Sequence, residues 1–288
     1  MDLPITFYAH FPDFSEATRR MVMREFAANG AKHLILNDQM FKVLMQDSSL
    51  EKKFLQEMEA EGLSFVDAHA PNNAMLDLNC PDESFRGEMI ARHKLALYIA
   101  ASMGVETLTI HCGLDFVTAS VPLKTHIDRT KAALDKILPE AEACGVIVAI
   151  ENIWTPNCQP DVLLDIKNEF PTEYLGLCYD SGHANLIDKN HVHCFNQTQN
   201  DWLKILKLDE VRWEDRALEK MLPHVVNCHL HDNDGSSDQH ERIGTGNVDW
   251  KHIKSLLLQA PRLKSIQSEM AKGSIREICE AMNFFAEL

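Results

Sequence analysis

The stretch HLHDNDGSSDQHERIGTGN, residues 229–247, is rich in side chains that bind metal ions or transfer protons. It holds three histidines, three aspartates, one glutamate and three glycines, and only two large apolar side chains. Asp238 and His240 are two positions apart, so in an extended segment both side chains would point the same way and could face one ion. The composition therefore predicts a metal or proton-transfer site, provided that the fold brings further ligands to this loop.

Side chains of the same kinds stand at the ends of six consecutive apolar runs. They are His69, His111, Glu151, Asp180 with His183 three positions later, His229 and Glu269. A single histidine at such a position is more often a hydrogen-bonded structural residue than a ligand. A glutamate inside an apolar run, such as Glu151 in VAIEN, is more informative, because an unpaired buried carboxylate costs several kcal/mol. Six runs that end in this way predict a metal site.

The elements that must position these residues are eight apolar runs of strand length, separated by amphipathic segments. The runs are 5–10, 33–37, 63–69, 106–112, 146–152, 174–180, 224–231 and 263–269. Each reads as a parallel strand buried on both faces, and helical patterns with a plausible N-cap at Ser15 and terminating glycines at Gly30, Gly104 and Gly145 lie between them. This order predicts an α/β fold, a single (β/α)8 barrel over residues 1–288. A doubly wound open sheet is the alternative, but no glycine-rich phosphate fingerprint follows the first run.

A barrel would explain the distribution of the ligand-type residues. The carboxyl ends of all eight strands open onto one face, where active sites are built. One segment does not fit the alternation. Residues 188–222 exceed the length of one crossover helix, begin polar and carry Trp202 and Trp213, so we interpret them as an insertion in the loop after the sixth strand. Such a segment would be a lid, an oligomer contact or a surface helix.

Charge and composition limit the classes of partner. With 28 basic and 43 acidic residues, the formal net charge is −15, which argues against a partner held by phosphate-backbone electrostatics. No apolar run is long enough for a membrane helix, and the first residues lack the features of a signal peptide. The eight cysteines form no CxxC pair, so we expect free thiols in a cytoplasmic protein.

Seven motifs resemble, in order, those of the xylose-isomerase-like barrel superfamily. They are HAP at 69–71, HCG at 111–113, AIEN at 149–152, YDSGHAN at 179–185, HLHDND at 229–234, DQHERIGTGNVDW at 238–250 and SEM at 268–270. The resemblance covers essentially the whole chain. This superfamily includes sugar and sugar-phosphate isomerases and epimerases, inosose dehydratases and apurinic endonucleases of the endonuclease IV type. The motifs are specific for the superfamily, not for one reaction.

In the isomerase branch, the resemblance implies one divalent ion (Mn, Zn or Co) bound by Glu151, Asp180, His229 and Glu269. The ion would hold two adjacent oxygens of a keto sugar. Glu151 and Glu269 would remove and return the proton next to the carbonyl, and the metal would stabilise the enediolate. His183 is expected near the substrate oxygens as a third catalytic residue.

Substrate contacts are less defined by the sequence. Trp154 would pack against the apolar face of a sugar, or simply belong to the rim. Arg242, with Gly244 and Gly246, would bind a phosphate, or form an ordinary turn with a solvated arginine. His10 would line the pocket or be structural. We do not expect ligands among seven other histidines, which are His33, His93, His126, His191, His193, His224 and His252.

In the endonuclease branch, the resemblance implies up to three zinc ions. The ligand set would comprise His69, His111, Glu151, Asp180, His183, His229, Asp238, His240 and Glu269, and this chain has a matching residue type at all nine positions. The acidic charge opposes that reading, as do a loop after the second strand without arginine and Asn72 where DNA-acting relatives usually have a tyrosine.

The first hypothesis is therefore a metal-dependent sugar or sugar-phosphate isomerase or epimerase, with dehydration of a polyol ketone as a close variant. Its partner would be a small sugar, with no nucleic acid or membrane, and a homo-oligomer is compatible with the superfamily. The second hypothesis is a zinc-dependent phosphodiesterase. The third is a barrel that binds a sugar without turnover, against which the intact carboxylate pair argues.

Overall fold

Eight parallel strands form a closed barrel in the order of the sequence. The computed structural model describes residues 3–113, 121–190, 194–208 and 211–288. The strands are β1 (Ile5–Phe7), β2 (His33–Leu36), β3 (Ser64–His69), β4 (Thr107–Ile110), β5 (Ile147–Glu151), β6 (Leu175–Asp180), β7 (Val225–Leu230) and β8 (Ser265–Ser268). Each pairs in parallel with the next, and β1 pairs with β8 to close the sheet. The predicted (β/α)8 barrel is confirmed, and the open sheet is excluded.

Helices surround the barrel and fill the crossovers. They are α1 (Glu16–Ala28), α2 (Asp38–Leu44), α3 (Leu50–Ala60), α4 (Arg86–Ser102), α5 (Leu123–Cys144), α6 (Pro160–Glu169), α7 (Ser181–Leu186), α8 (Gln197–Ile205), α9 (Ala217–Met221), α10 (Trp250–Leu257) and α11 (Ile275–Glu287). The hydroxyl of Ser15 caps α1 by accepting from the backbone N–H of Thr18, as predicted. Gly145 ends α5 with φ of 67°, a conformation that favours glycine.

The described residues between β6 and β7 form three α-helices and a short 3-10 helix, Leu222–His224. Helix α7 follows Asp180 directly, while α8 and α9 lie within the segment 188–222. The N-cap of α8, Asn196, donates from Nδ2 to the hydroxyl of Ser237 at 2.7 Å, which ties this segment to the loop after β7. That the segment is an insertion stays a prediction, and two of its histidines, His191 and His193, lie outside the described residues.

The apolar core lies mainly between the barrel and the helices, where a large cluster of buried side chains joins both layers. All eight cysteines are within the described part of the chain and are free thiols. Among the described helices, none combines the length and apolar character needed to cross a bilayer.

Candidate metal centre

The residues predicted from strand ends converge at the carboxyl end of the barrel. There are four groups of such residues, and within each group the ligand atoms lie within 4.8 Å of one another. We call Glu151, Asp180, His229 and Glu269 the central group. The β3–β4 group is His69, His111 and Glu151, and the β7-loop group is His183, His231, Asp238 and His240. A fourth set, His69, His229 and Glu269, links the first two. All nine ligands considered from the sequence therefore lie in this one region.

The central group is built around the imidazole of His229. Its Nδ1 lies 3.2 Å from Oε1 of Glu151 and 3.2 Å from Oε2 of Glu269. Asp180, level with His229 on the neighbouring strand, accepts from the backbone N–H of His183 at 2.6 Å. Glu151, Asp180 and His229 are almost fully buried, whereas the side chain of Glu269 is 15% exposed, so the group opens at Glu269.

The β3–β4 group has the spacing of ligands around one ion. Nε2 of His69 is 3.1 Å from Nε2 of His111, and these atoms lie 3.6 and 3.3 Å from Oε2 of Glu151. In a tetrahedral zinc site with bonds of about 2.0–2.1 Å, ligand atoms are about 3.3 Å apart. The three edges of this triangle match that value.

The β7-loop group shows similar distances. Asp238 lies 3.2 Å from Nε2 of His183 and 3.4 Å from Nε2 of His240. His231 was not predicted from the sequence as a member of this group. It stands two positions after His229, and side chains at i and i+2 share a face of a strand, so this spacing could have predicted it. Nε2 of His231 donates to Asp180 at 3.1 Å, and its ring stacks on that of His240.

The loop conformation differs from the extended segment expected at Asp238–His240. The backbone of His240 has φ of 47°, a left-handed conformation that costs free energy for a residue other than glycine. The Nδ1–H of His240 donates to the backbone oxygen of Glu269 at 2.9 Å. This bond holds the strained residue, and both side chains still face the site.

The backbone hydrogen bonds of three histidines leave the second ring nitrogen, Nε2, facing the site. The Nδ1–H groups of His69, His183 and His240 donate to the backbone oxygens of Ala70, Asn152 and Glu269, each at 2.9 Å. A carbonyl oxygen only accepts, so Nδ1 keeps its proton, and Nε2, which faces the site, is the nitrogen that can bind a metal once it is unprotonated. Two buried carboxylate oxygens face such nitrogens: Oε2 of Glu151 lies 3.3 Å from Nε2 of His111, and Oδ1 of Asp238 lies 3.4 Å from Nε2 of His240. These donor atoms fit a divalent metal.

Charges within the site perturb its titration. Burial disfavours the charged form of His111, but the hydrogen bond and the charge of Glu151 outweigh it and raise its pKa to about 9. Burial is likewise outweighed at His240, where Asp238 raises the pKa to about 10. Burial alone would raise the pKa of Glu151, whereas the charge of His229 and the hydrogen bonds of the surrounding histidines hold it well below its usual range.

For an ion bound through His111 or His240, we expect zinc affinity to rise with pH between pH 7 and about 9. At pH 7 the metal-free protein carries protons on His111 and His240, because their pKa values are about 9 and about 10. An ion that uses these nitrogens must displace the protons, so each one costs about tenfold in affinity per pH unit below its pKa. Competition with a chromophoric chelator from pH 6 to 9, corrected for the chelator's own protonation, measures this slope. A flat profile would contradict the expected role of these nitrogens.

The loop after β7 is held by Asp232. Its Oδ2 accepts from the backbone N–H of Gly244 at 2.9 Å and from Nε1 of Trp250 at 2.8 Å. The N–H of Gly244 is therefore engaged within the protein. A Cβ at Gly246 would lie 2.2 Å from the backbone oxygen of Asn233, so glycine is required there for close packing. These glycines fit a packing role rather than an anion-binding one.

A cavity of about 300 Å³ lies above the ligands. Besides ligand side chains, it is lined by Tyr8, His10, Asn72, Ile153 and Ala271. Among the described lining residues there is no lysine or arginine, and the sequence has neither at the positions outside the description, 1–2, 114–120, 191–193 and 209–210. Bound metal would thus be the dominant positive charge facing a substrate.

Trp154 and Arg242 do not line this cavity. Trp154 is buried in the apolar core, and Ile153 faces the cavity in its place. Arg242 pairs with Glu277 at 3.1 Å. Their assignment to substrate binding stays a prediction without support from this geometry. The structure adds Tyr8, which donates its hydroxyl proton to Asp38 at 2.7 Å and which the sequence gave no reason to select.

Gly182 makes room for His231, and Gly182→Ala is expected to destabilise the protein by about 1–3 kcal/mol. A Cβ at this position would lie 1.9 Å from Cε1 of His231, whose ring is fixed by Asp180 and His240. Denaturant unfolding measures the loss.

Gly87→Ala is the matched control for this substitution. Gly87 lies in α4 with open space around its Cβ position, so alanine should be neutral or slightly stabilising there. Equal stability of the two variants would mean that the ring of His231 is not held as described.

The closed barrel and the cluster of ligand-type side chains at its carboxyl end define a (β/α)8 protein with a candidate metal site. The chain belongs to the xylose isomerase-like TIM barrel family, whose sequence profile matches residues 24–283. An uncharacterized protein of Methanocaldococcus jannaschii is 27% identical over 209 residues, which cover 70% of this chain and 62% of that protein. The chain thus spans less than two thirds of the length of this relative.

Solved structures share the fold over nearly the whole chain. D-psicose 3-epimerase from Clostridium cellulolyticum H10, crystallised with D-tagatose, has 14% identity and a TM-score of 0.73, with 99% of both chains covered. The 3-keto-D-glucoside 4-epimerase YcjR from E. coli has 12% identity and a TM-score of 0.74, with 100% of both chains covered. At these identities, the likeness establishes the fold.

Proposed function

We propose that this protein is a divalent-metal-dependent isomerase or epimerase of a small keto sugar or its phosphate. The observation that carries the proposal is the pair of carboxylates, Glu151 and Glu269, which flank Nδ1 of His229 at the base of a cavity of about 300 Å³. Two carboxylates around one substrate carbon can remove a proton and return it. The two epimerases with the same fold support this class of reaction.

In this proposal the central group holds the ion, which when bound polarises the substrate carbonyl and offsets the negative charge that develops on its oxygen. Glu269 is the more accessible carboxylate, and the charge of His229 outweighs its burial and keeps its pKa low. It is therefore ionised and able to accept the proton next to the carbonyl. Glu151 approaches from β5 and exchanges the second proton. His183, held by Asn152, faces the same cavity and positions substrate oxygens.

A second candidate is a multinuclear zinc phosphodiesterase. The observation in its favour is that the β3–β4 and β7-loop groups, as well as the central group, have ligand spacings suited to an ion. Against it stand the net charge of −15 and the lack of lysine and arginine among the described residues that line the cavity, since nucleic-acid partners are held by such cations. We therefore rank it second.

The experiment that tests the proposal combines metal content with proton exchange. Protein purified without chelators is analysed for metal, and a panel of ketohexoses and their phosphates is incubated with it in D₂O. Loss of the NMR signal of the proton next to the carbonyl, together with an epimer or isomer product, is expected. No exchange with any sugar, combined with cleavage of an abasic oligonucleotide or of bis(p-nitrophenyl) phosphate, would replace it with the second candidate.

A further inference from the structure

The inside of the barrel beneath the central group carries polar side chains. His229 on β7 is level with Gln267 on β8, which is level with Thr6 on β1, and residues level with one another in a parallel sheet point to the same face. Asp67 stands two residues before His69 on β3 and so also points inward. Barrel interiors are usually filled by branched apolar side chains, so this polar side is unusual.

Two of these side chains have unmet hydrogen-bonding capacity. Oδ2 of Asp67 accepts from the hydroxyls of Thr6 and Ser265, each at 2.9 Å, but Oδ1 has no hydrogen-bond partner in the described part of the chain. Gln267 is fully buried, and neither its amide oxygen nor its amide nitrogen has a hydrogen-bond partner among the same residues. Buried polar atoms are normally paired with the protein or with ordered water, so these three atoms indicate an internal hydrogen-bonding chain.

His229 supplies the missing end of that chain. Its Nδ1 faces the carboxylates, so a metal-binding His229 must carry its proton on Nε2, the reverse of His69, His183 and His240. Nε2 is fully buried, and among the described residues no nitrogen or oxygen atom is its hydrogen-bond partner. A ligand histidine usually donates its second ring N–H to an acceptor, which fixes the tautomer and the ring orientation.

Two neighbours compete for this role. Asp67 is linked to β7 through the hydroxyl of Ser265, which lies 2.9 Å from Oδ2 of Asp67 and 3.2 Å from Oδ1 of Asn227, two residues before His229. The thiol of Cys178 also lies against His229 and can hydrogen-bond to its ring, but a thiol is a weak acceptor. A carboxylate oxygen is the stronger acceptor.

We propose that Asp67 is a positioning residue for the metal centre. Its free Oδ1, relayed by the amide of Gln267 and by internal water, accepts the Nε2–H of His229 and so keeps the Nδ1 lone pair turned toward the ion. The inference rests on the metal site of the proposed function and is independent of the substrate.

The test measures zinc affinity by chelator competition in four variants. Asp67→Leu replaces the acceptor with an apolar side chain and should weaken zinc binding about tenfold or more. Asp67→Asn keeps a carbonyl oxygen and should lose less, and Gln267→Met should fall between them. Cys178→Ala is the matched control inside the same barrel and should bind zinc as the wild type does.

A second readout separates positioning from a merely structural role. In zinc-loaded protein labelled with ¹⁵N-histidine, the ring nitrogen shifts of His229 report the tautomer, and Asp67→Leu should broaden or shift them while denaturant unfolding stays cooperative. If Asp67→Leu does not fold, the zinc affinities of Gln267→Met and Asp67→Asn test the inference instead.

Unchanged zinc affinity in folded Asp67 and Gln267 variants would overturn the inference. A loss confined to Cys178→Ala would do the same and assign the role to the thiol. Failure of the wild type to bind any divalent metal would instead remove the proposed function itself.

Discussion

Replacing Glu151 by glutamine is expected to lower kcat/KM by about a thousandfold or more while the barrel still folds. The substitution keeps the volume of a side chain that is 1% exposed, but it removes the negative charge that faces the histidines of two ligand groups. It removes at once a ligand of the ion and an acceptor for the migrating proton. The measurement is the rate of solvent deuterium exchange into the sugar identified by the D₂O screen, with metal content determined on the same samples.

Glu269→Gln should be nearly as inactive but should retain more metal. Glu269 contacts His229 of the central group at 3.2 Å, and it is the more exposed of the two carboxylates. Glu241→Gln is the matched control, because Glu241 lies on the loop after β7, pairs with Lys272 and does not line the cavity. If either Glu151→Gln or Glu269→Gln kept more than a tenth of wild-type activity, the two-carboxylate mechanism would be wrong.

The fold could be predicted from sequence because a parallel barrel leaves a regular trace. Strands buried on both faces give short apolar runs, and the predicted runs contain all eight strands, although several strands are shorter by a few residues. His111 and Glu269 follow β4 and β8 instead of ending them. The error does not move the site, because both residues still leave their strands at the carboxyl end of the barrel.

The ligand-type residues at strand ends could also be predicted from the sequence, whereas the conformations of the loops could not. The position of His240 depends on a left-handed backbone and on a bond to the backbone of Glu269, neither of which spacing alone encodes. Trp154 packs in the apolar core, and Arg242 pairs with Glu277. These are tertiary contacts between residues distant in the chain, so a single sequence does not predict them.

The polar interior was likewise hidden from the sequence. Asp67 and Gln267 stand in apolar runs, where each looks like an isolated exception. Only the register of β7, β8 and β1 shows that Gln267 and Thr6 face the same interior as His229. The site thus extends below the ligands into the barrel interior, which the pattern of residues at strand ends does not predict.

The number of ions separates the two candidate functions, and the double substitution Asp238→Ala with His240→Ala is expected to leave one ion per chain in place. The central group keeps its own contacts, since Nδ1 of His229 remains 3.2 Å from both Glu151 and Glu269. Affinity should still fall, because His240 no longer anchors the backbone of Glu269. Elemental analysis of the wild type and the double variant measures the count, and Glu241→Gln serves again as the control on the same loop.

The wild-type count gives the result its meaning. One ion in both proteins supports a single-ion isomerase in which Asp238 and His240 act on the substrate, and activity should then fall while the metal stays. Three zinc ions in the wild type and fewer in the variant would show that the β7-loop group holds an ion of its own, and phosphodiester hydrolysis would move to the front. Complete loss of metal in the variant would contradict the single-ion arrangement, because it would make the loop ligands essential to an ion that the central group should hold alone.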